Sequence, residues 1–400
     1  MKRRDVILAS IALVSVVIYA LACKPAWDPS GKTIAFGAMS EDGSGIVLYD
    51  TEKDSLKTLR ASDTDRYSST YCLWTSDGKS IITVGPARDG EMLAVERLDP
   101  GTGKAEAVCD PIKVGKVASP MIPPFLAADR YLWITGLSIG EAKAPSNLRV
   151  DLAEKKVETF FASETETTCL YPGGKRGYFF ASWPVDVEST EGTIALGTLD
   201  PATGNREIIT TTPYQKQCGQ GLPWLTVEPD GDRFAVVMQA DKGFEVTIGA
   251  SEGEEGQFFP LPDSVKGALY MTWAGKTIYM AAQIESTAAE VESTGAAAKG
   301  DTALVVLNVD SGGTRVIPLG ITDGNPQPSV SPDGRWLAVD AGDQMRTTGL
   351  MIFDLSALDK APKLVKVAER LLPGALAIES TAAIESTAAA AESTAGALNQ

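Results

Sequence analysis

The chain of 400 residues contains 52 acidic and 36 basic residues, and its formal net charge is −16. This acidity argues against nucleic acid as a partner, because phosphate binding needs clustered Lys and Arg. Hydrophobic residues make up 44% and charged residues 22% of the chain, as in globular proteins, so the length indicates either two or three ordinary domains or one repeat array.

The N-terminus has the pattern of an export signal. Three basic residues at positions 2 to 4 precede an uncharged apolar run over 6–22, which ends at Ala22-Cys23. This pattern predicts a signal peptide over residues 1–22. The junction also resembles a bacterial lipobox, and the resemblance implies lipidation of Cys23. We therefore expect an extracytoplasmic protein tethered to a membrane, with an uncleaved anchor and soluble secretion as the alternatives.

Further along the chain, a turn motif ending in Gly recurs before β-rich runs. The four clear copies read Trp27-Asp28-Pro29-Ser30-Gly31, Trp74-Thr75-Ser76-Asp77-Gly78, Val227-Glu228-Pro229-Asp230-Gly231 and Val330-Ser331-Pro332-Asp333-Gly334. Their glycines are 47, 153 and 103 residues apart, close to one, three and two multiples of about 51. Weaker copies near 129, 173 and 275 bring the number of units to seven.

A second turn motif supports the same period. Leu98-Asp99-Pro100-Gly101-Thr102-Gly103 recurs 101 residues later as Leu199-Asp200-Pro201-Ala202-Thr203-Gly204, and related turns carry Asp50, Asp151, Asp310 and Asp354. Each unit then contains four strands joined by tight turns. The pattern predicts an all-β protein, a β-propeller of seven four-stranded antiparallel blades. Six or eight blades, or a solenoid, are the alternatives.

The segment from Ser331 to Val339, SPDGRWLAV, resembles the repeats of TolB-like, WD-repeat-like propellers. The resemblance covers about residues 24–367, and it implies a general role in cell-envelope complexes. We expect a propeller over 23–367, followed by a low-complexity tail of Ala, Glu, Ser and Thr over 368–400. The expected partner is an envelope protein, peptide or polysaccharide, bound by a monomer on the face that carries the long loops.

Aromatic and low-complexity segments decorate this scaffold. The aromatic residues at fixed repeat positions are expected to pack between blades: Trp27, Trp74, Tyr171, Trp273 and Trp336. Trp183 and Tyr214 fall in predicted loops and are the candidates for a ligand-binding face. The tripeptide Glu-Ser-Thr starts at positions 188, 285, 292, 379, 385 and 392, which the topology places in loops of the fourth and sixth blades and in the tail.

With Cys23 as the anchor, four cysteines remain in an oxidising compartment. We expect disulfides between Cys72 and Cys109 and between Cys169 and Cys218, with free thiols as the alternative. The chain contains no C-x-x-C motif, so the cysteine spacing predicts no metal site.

The chain contains no histidine. This removes Ser-His-Asp triads, Cys-His dyads and His-ligated metals, and no Gly-rich phosphate loop indicates a nucleotide cofactor. The sequence therefore predicts a non-catalytic scaffold without a cofactor. The alternative is a two-carboxylate hydrolase such as a propeller glycosidase, which a cluster of Asp and Glu around a central pocket would favour.

Overall fold

A computed structural model describes residues 24–40, 43–62, 67, 70–87, 92–114, 122–137, 146–161, 166–173, 178–184, 192–214, 225–229, 231, 233–240, 243–250, 256–285, 302–321, 326–343, 346–367 and 376–377. Its regular elements are all β-strands. The predicted signal peptide, Cys23 and most of the predicted tail lie outside these residues. Within them, no helix has the length and apolarity needed to cross a membrane.

The strands form seven antiparallel sheets, which confirms the predicted seven-bladed propeller. We name the four main strands of each blade a to d in chain order. Blade 1 contains β1 (Ala26–Trp27), β2 (Thr33–Ser40), β3 (Gly43–Asp50) and β4 (Ser55–Ser62). Blade 2 contains β5 (Tyr71–Trp74), β6 (Ile81–Pro86), β7 (Met92–Leu98) and β8 (Ala105–Ala107), and β9 (Ile112–Lys113) also pairs with β7. Blade 3 contains β10 (Ile122–Ala127), β11 (Tyr131–Leu137), β12 (Ser146–Asp151) and β13 (Lys156–Phe160).

The remaining four blades follow in the same order. Blade 4 contains β14 (Glu166–Pro172), β15 (Tyr178–Pro184), β16 (Gly192–Leu199) and β17 (Arg206–Tyr214). Blade 5 contains β18 (Leu225–Val227), β19 (Arg233–Ala240), β20 (Gly243–Ala250) and β21 (Gln257–Pro260). Blade 6 contains β22 (Val265–Ala274), β23 (Thr277–Ile284), β24 (Thr302–Asn308) and β25 (Thr314–Pro318). Blade 7 contains β26 (Pro328–Val330), β27 (Trp336–Asp343), β28 (Arg346–Asp354) and β29 (Lys363–Lys366).

The ring closes by packing of blade 7 on blade 1, because the four main strands of every blade are consecutive in the chain. A short strand from the predicted tail, β30 (Leu376–Ala377), is added along the outer edge of blade 1, where Leu376 pairs with Lys57 of β4. Part of the segment predicted as a tail is therefore a fifth strand of the first blade.

The hydrophobic core is divided into seven clusters, one between each pair of adjacent blades in the described part of the chain. Successive side chains of a strand point to opposite faces of its sheet, so each blade contributes to two clusters. In β6, Ile81 packs toward blade 1 and Ile82 packs toward blade 3, and both are fully buried. The near-continuous apolar runs of the middle strands follow from burial on both faces.

The two turn motifs have the geometry that their residues indicate. Gly31, Gly78 and Gly334 in the a–b turns have φ values of 73°, 68° and 69°, a region that glycine enters without steric cost. In the c–d turns, the leading Asp accepts backbone N–H bonds from the residues that follow, as Asp200 does from Ala202 at 2.8 Å.

In blade 6 the c–d turn begins at Asn308, two residues before the predicted Asp310. Its leading acceptor is Asn308, whose Oδ1 accepts the backbone N–H groups of Asp310 and Ser311. The amide oxygen of Asn replaces the carboxylate oxygen of Asp in this role. Because the turn motif was defined by Asp, it matched Asp310 instead of Asn308. Asp310 instead forms an exposed ion pair with Lys276.

Candidate functional site

The main concave feature is a central cavity of about 560 Å³ that runs along the propeller axis. Its lining comes from strand a of all seven blades and from the residues that flank those strands. Because strand a is the innermost strand of each sheet, one of its edges has no neighbouring strand and faces the axis.

Proline and aromatic residues make up about half of the residues in the wall. The aromatic residues that line the cavity are Trp27, Tyr71, Trp74, Phe125, Tyr171, Tyr270 and Trp273, and the prolines are Pro25, Pro29, Pro123, Pro124, Pro172, Pro229 and Pro328. Proline suits this position because an edge strand can do without some of its N–H donors. In β10 the register with β11 shifts between Ile122 and Phe125, where the two consecutive prolines lie.

The repeat tryptophans also hold neighbouring blades together, which confirms their predicted packing role. Trp27 is 8% exposed, and its Nε1 donates to the carbonyl oxygen of Ser329 in blade 7 at 2.9 Å. Trp74 makes the equivalent bond to the carbonyl oxygen of Ala26 in blade 1 at 3.0 Å. Each indole thus joins strand a of its own blade to strand a of the preceding blade.

Lys24 is the one charged side chain among the described residues that line the cavity. It is partly buried, and desolvation by its surroundings lowers its pKa from 10.5. No hydrogen bond or ion pair joins it to another described residue. Since it precedes β1, it lies at the end of the cavity where the strands a begin, which is also the end that carries the b–c and d–a loops.

Two acidic residues lie at the other end, in the a–b turns. Asp28 accepts the backbone N–H groups of Lys32 and Thr33, both at 2.8 Å, and Asp129 accepts that of Ser76 at 2.9 Å. These carboxylates are engaged in holding turns together. Among the described residues that line the cavity there is no Asp or Glu, so that wall lacks the carboxylate pair that a propeller glycosidase needs.

The predicted ligand-face residues lie at strand ends rather than in loops. Trp183 belongs to β15 and pairs with Thr167, and Tyr214 is the last residue of β17 and pairs with Gly192. Both residues lie at the loop-bearing end of blade 4. The structure describes their strand positions and not their side chains. Of the Glu-Ser-Thr copies, Glu285 directly follows β23 and forms an exposed ion pair with Lys266 at 2.8 Å.

Of the described cysteines, Cys72 and Cys169 are buried and Cys109 is partly buried. Cys72, Cys109 and Cys169 are free thiols in the structure. Cys72 packs in the cluster between blades 1 and 2, whereas Cys109 packs in the cluster between blades 2 and 3. They lie on opposite faces of blade 2, and the expected Cys72–Cys109 bridge is not formed. Cys218, the predicted partner of Cys169, lies outside the described residues. Burial raises the pKa of Cys72 to about 12 and raises that of Cys169 as well.

Sequence reasoning missed two residues near the axis. Lys24 lies between the predicted anchor at Cys23 and the first repeat at Trp27, a position that is typical of a linker residue. Asp340 in β27 is 4% exposed, and its Oδ1 accepts the backbone N–H of Gln327, which lines the cavity. Burial raises the pKa of Asp340 to about 7. An aspartate inside the apolar run Trp336–Ala341 was the signal for such a buried group.

Comparison with known proteins identifies a fold and no family. No family model matches the chain, and no curated protein matches it. A candidate 6-phosphogluconolactonase from Bacteroides uniformis is similar with a TM-score of 0.54 and 14% identity, over 85% of this chain and 98% of that one. The Cps50 (Swd1) propeller domain from Myceliophteria thermophila gives 0.52 and 15% identity, over 84% and 97%.

TolB from Acinetobacter baumannii is also similar, with a TM-score of 0.44 and 14% identity. The match covers 84% of this chain and 65% of that TolB chain. At these identities the likeness concerns the fold alone, and fold does not fix function. The chain is a seven-bladed β-propeller, with propellers of both the WD-repeat and the TolB type among its structural neighbours.

Proposed function

We propose that this protein is a non-catalytic binding scaffold of the cell envelope, and that it binds its ligand in the central cavity through the loop-bearing end. The single observation that carries the proposal is the composition of the cavity wall. Its described residues combine aromatic and proline side chains with one lysine and no carboxylate. Concave, mostly apolar sites of 300–1,000 Å³ with few polar groups are typical of ligand binding.

The absence of histidine from the chain supports the same function. General acid–base chemistry at neutral pH then depends on other groups with adjusted pKa values, among them carboxylates and amines. Asp340 has such a pKa, but it is bonded to a backbone N–H group and is not among the residues that line the cavity. Asp151, the other buried aspartate, forms an ion pair with Arg130 at 3.0 Å in the outer part of blade 3. Both groups are best explained by structural roles.

The envelope location rests on the N-terminal residues. The basic residues at positions 2 to 4, the apolar run 6–22 and Cys23 favour export with a lipid or peptide anchor. The chain would then emerge next to Lys24, so the loop-bearing end would face the membrane to which Cys23 is attached. A partner in this setting would be an envelope protein, peptide or polysaccharide.

The experiment is capture of ligands from solubilised membranes by the full-length chain, with a variant whose cavity is narrowed. Thr226 of β18 lines the cavity and is partly buried. Thr226→Trp would place an indole ring in the cavity and narrow it, and Thr211→Trp on exposed β17 is the matched control. We expect the wild type and the Thr211 variant to retain a component in stoichiometric amount and the Thr226 variant to retain less of it.

The same preparations test the enzyme alternative. A glycan library incubated with the wild-type protein should remain unchanged. Glycan turnover by the wild type that disappears in Thr226→Trp and persists in Thr211→Trp would show that the protein is a hydrolase and would overturn the scaffold proposal. Equal capture by all three proteins would mean that the cavity is not the binding site.

A further inference from the structure

The cavity wall carries its one described cation at one end. Lys24 lines the loop-bearing end, where the strands a begin. The a–b turns at the other end carry carboxylates and cations side by side, as in the ion pair between Asp77 and Lys79 at 3.4 Å. A ligand that enters through the loop end would meet the ammonium group of Lys24. An anion is therefore favoured over a cation at that end.

The ammonium group of Lys24 is poorly compensated in the described structure. Its surroundings in the wall include Pro25, Trp27 and Pro328, which carry no charge. A charged amine in such surroundings is disfavoured unless an anion or several acceptors stabilise it. Desolvation accordingly lowers its pKa. A bound carboxylate would supply the missing charge and two strong acceptor oxygens.

The rest of the wall limits what else the ligand can be. Phosphate and polyanionic sugars are bound by groups of cations and many donors, and this wall offers a single cation. The partly exposed side chains of Leu73, Trp74 and Met271 instead offer apolar surface. The cavity volume of about 560 Å³ exceeds the space of a bicyclic ring several-fold, so size does not exclude such a ligand.

We propose that the central cavity binds a small amphipathic monoanion, an aryl or alkyl carboxylate, with its apolar body among the apolar side chains of the wall and its carboxylate at Lys24. This inference rests on the proposed function of a binding propeller and assigns a small molecule to the cavity in addition to the envelope partner. No bond is formed or broken, and the contribution of the anion is charge neutralisation at one end of an apolar site.

The test uses three probes that share one ring system and differ in the charge of the side group. They are 2-naphthoate, 2-naphthylmethanol and 2-naphthylmethylammonium. Binding is measured by titration calorimetry on the full chain in lipid nanodiscs, with the heat of empty nanodiscs subtracted. We expect naphthoate to bind at least tenfold more tightly than the alcohol, and the ammonium probe to bind most weakly.

Substitutions of Lys24 then test whether its positive charge causes the preference for naphthoate. Lys24→Met keeps the length of the side chain and removes its charge, so naphthoate affinity should fall at least tenfold, to the level of the alcohol. Lys24→Arg retains a cation and should keep most of the preference for the anion. Thr226→Trp should weaken the binding of all three probes, because it narrows the cavity, and Thr211→Trp should leave the affinities unchanged.

The outcomes separate this inference from the proposed function. Naphthoate that binds no better than the alcohol, or equally well to Lys24→Met, overturns the amphipathic-anion site. If Thr226→Trp still retains less of the captured membrane component, the binding scaffold stands with a different ligand. A naphthoate affinity that is the same in Thr226→Trp as in the wild type places the probe outside the cavity and also overturns the inference. Near-ultraviolet circular dichroism of each variant establishes that the propeller is intact.

Discussion

The indole Nε1 of Trp27 donates a 2.9 Å hydrogen bond to the carbonyl oxygen of Ser329, which joins the first blade of the ring to the last. The two residues are 302 positions apart in the sequence. Many propellers close by building one blade from both chain ends, but here four consecutive strands complete each blade. Closure then depends on the apolar cluster between blades 7 and 1, in which Trp27 is buried.

Substitution of Trp27 tests this closure. Trp27→Phe should retain much of the packing and leave the Ser329 carbonyl without its donor, which lowers the free energy of unfolding by about 1 kcal/mol. Trp27→Ala also leaves a cavity and should cost about 3–5 kcal/mol. Urea denaturation measures both values, and hydrogen exchange should show the loss of protection concentrated in blades 1 and 7. Uniform loss over all blades would contradict a local closure role.

The c–d turn of blade 4 is held by a cation from blade 3. Arg149 Nη1 donates to the carbonyl oxygen of Pro201 at 3.0 Å and to that of Ala202, and Nη2 contacts Glu158 at 2.5 Å. Blade 1 makes the same contact with blade 2, where Lys57 Nζ donates to the carbonyl oxygens of the Pro100-Gly101 turn at 3.3 and 2.5 Å. The repeated Asp-Pro turn is thus a site of contact between blades as well as a turn.

Arg149 should be the more important of these two cations. Its side chain is 11% exposed, and its guanidinium lies 4.8 Å from the ring centres of Tyr131 and Phe160. Arg149→Met should cost about 2 kcal/mol, because it removes charge-assisted hydrogen bonds to partly buried acceptors. Arg149→Lys should recover part of this loss, since it restores a cation without the planar fork. Lys57→Met removes a flexible point charge that donates to two turn carbonyls, and it should cost under about 1 kcal/mol in the same urea experiment. Equal costs at the two positions would contradict this ranking.

Sequence reasoning predicted the fold better than the site. Blade number and strand order followed from turn residues, because Gly and Asp are required by local backbone geometry that repeats with the blade. Lys24 and Asp340 have no such repeated requirement. The cavity beside Lys24 is assembled from strands of all seven blades, and the burial of Asp340 depends on how its sheet packs in the ring. The Cys72–Cys109 pairing assumed that nearness along the ring implies contact, whereas the pleat of β5 directs Cys72 to the opposite face of the blade from Cys109.

The fifth residue of the c–d turn offers a matched pair of backbone tests. Gly103 and Lys155 occupy equivalent positions in blades 2 and 3, with φ values of 70° and 55°. Lys155→Gly should raise the free energy of unfolding by about 0.5–1 kcal/mol, because glycine adopts this conformation without strain. The ion pair of Lys155 with Glu106 joins two well-exposed side chains, so its loss should matter little. Lys155→Ala keeps the strain and should give no gain.

The reverse substitution should be unfavourable. A Cβ on Gly103 would lie 2.4 Å from the carbonyl oxygen of Leu59 in blade 1, in addition to the strain of positive φ. Gly103→Ala should therefore cost more than about 2 kcal/mol. Thermal denaturation of the four proteins gives the order. A neutral Gly103→Ala would show that the turn can move away from blade 1.

Asp340 should make the stability of the propeller depend on pH in a direction opposite to that of most carboxylates. Burial raises its pKa from 3.8 to about 7, against the opposing effects of the Gln327 backbone N–H and the Thr347 hydroxyl. The folded protein therefore binds this proton more tightly than the unfolded chain does. Between pH 4 and 7 the contribution of Asp340 to the free energy of unfolding falls as the pH rises, and the whole penalty is present above pH 7. A rise from 3.8 to about 7 corresponds to on the order of 4 kcal/mol.

Asp340→Asn keeps an oxygen acceptor for Gln327 and removes the titration. The variant should match the wild type near pH 4 and exceed it in stability by a margin that grows up to about pH 7, measured by urea denaturation at closely spaced pH values. Asp151→Asn is the control of opposite sign. Although burial acts to raise the pKa of Asp151, the Arg130 guanidinium and two backbone N–H groups hold it below 3.8. That variant should be less stable than the wild type at pH 7, and its deficit should disappear as the pH falls below the range in which aspartates ionise. A constant difference between Asp340→Asn and the wild type from pH 4 to 8 would show that Asp340 does not change its charge in the folded protein over this range.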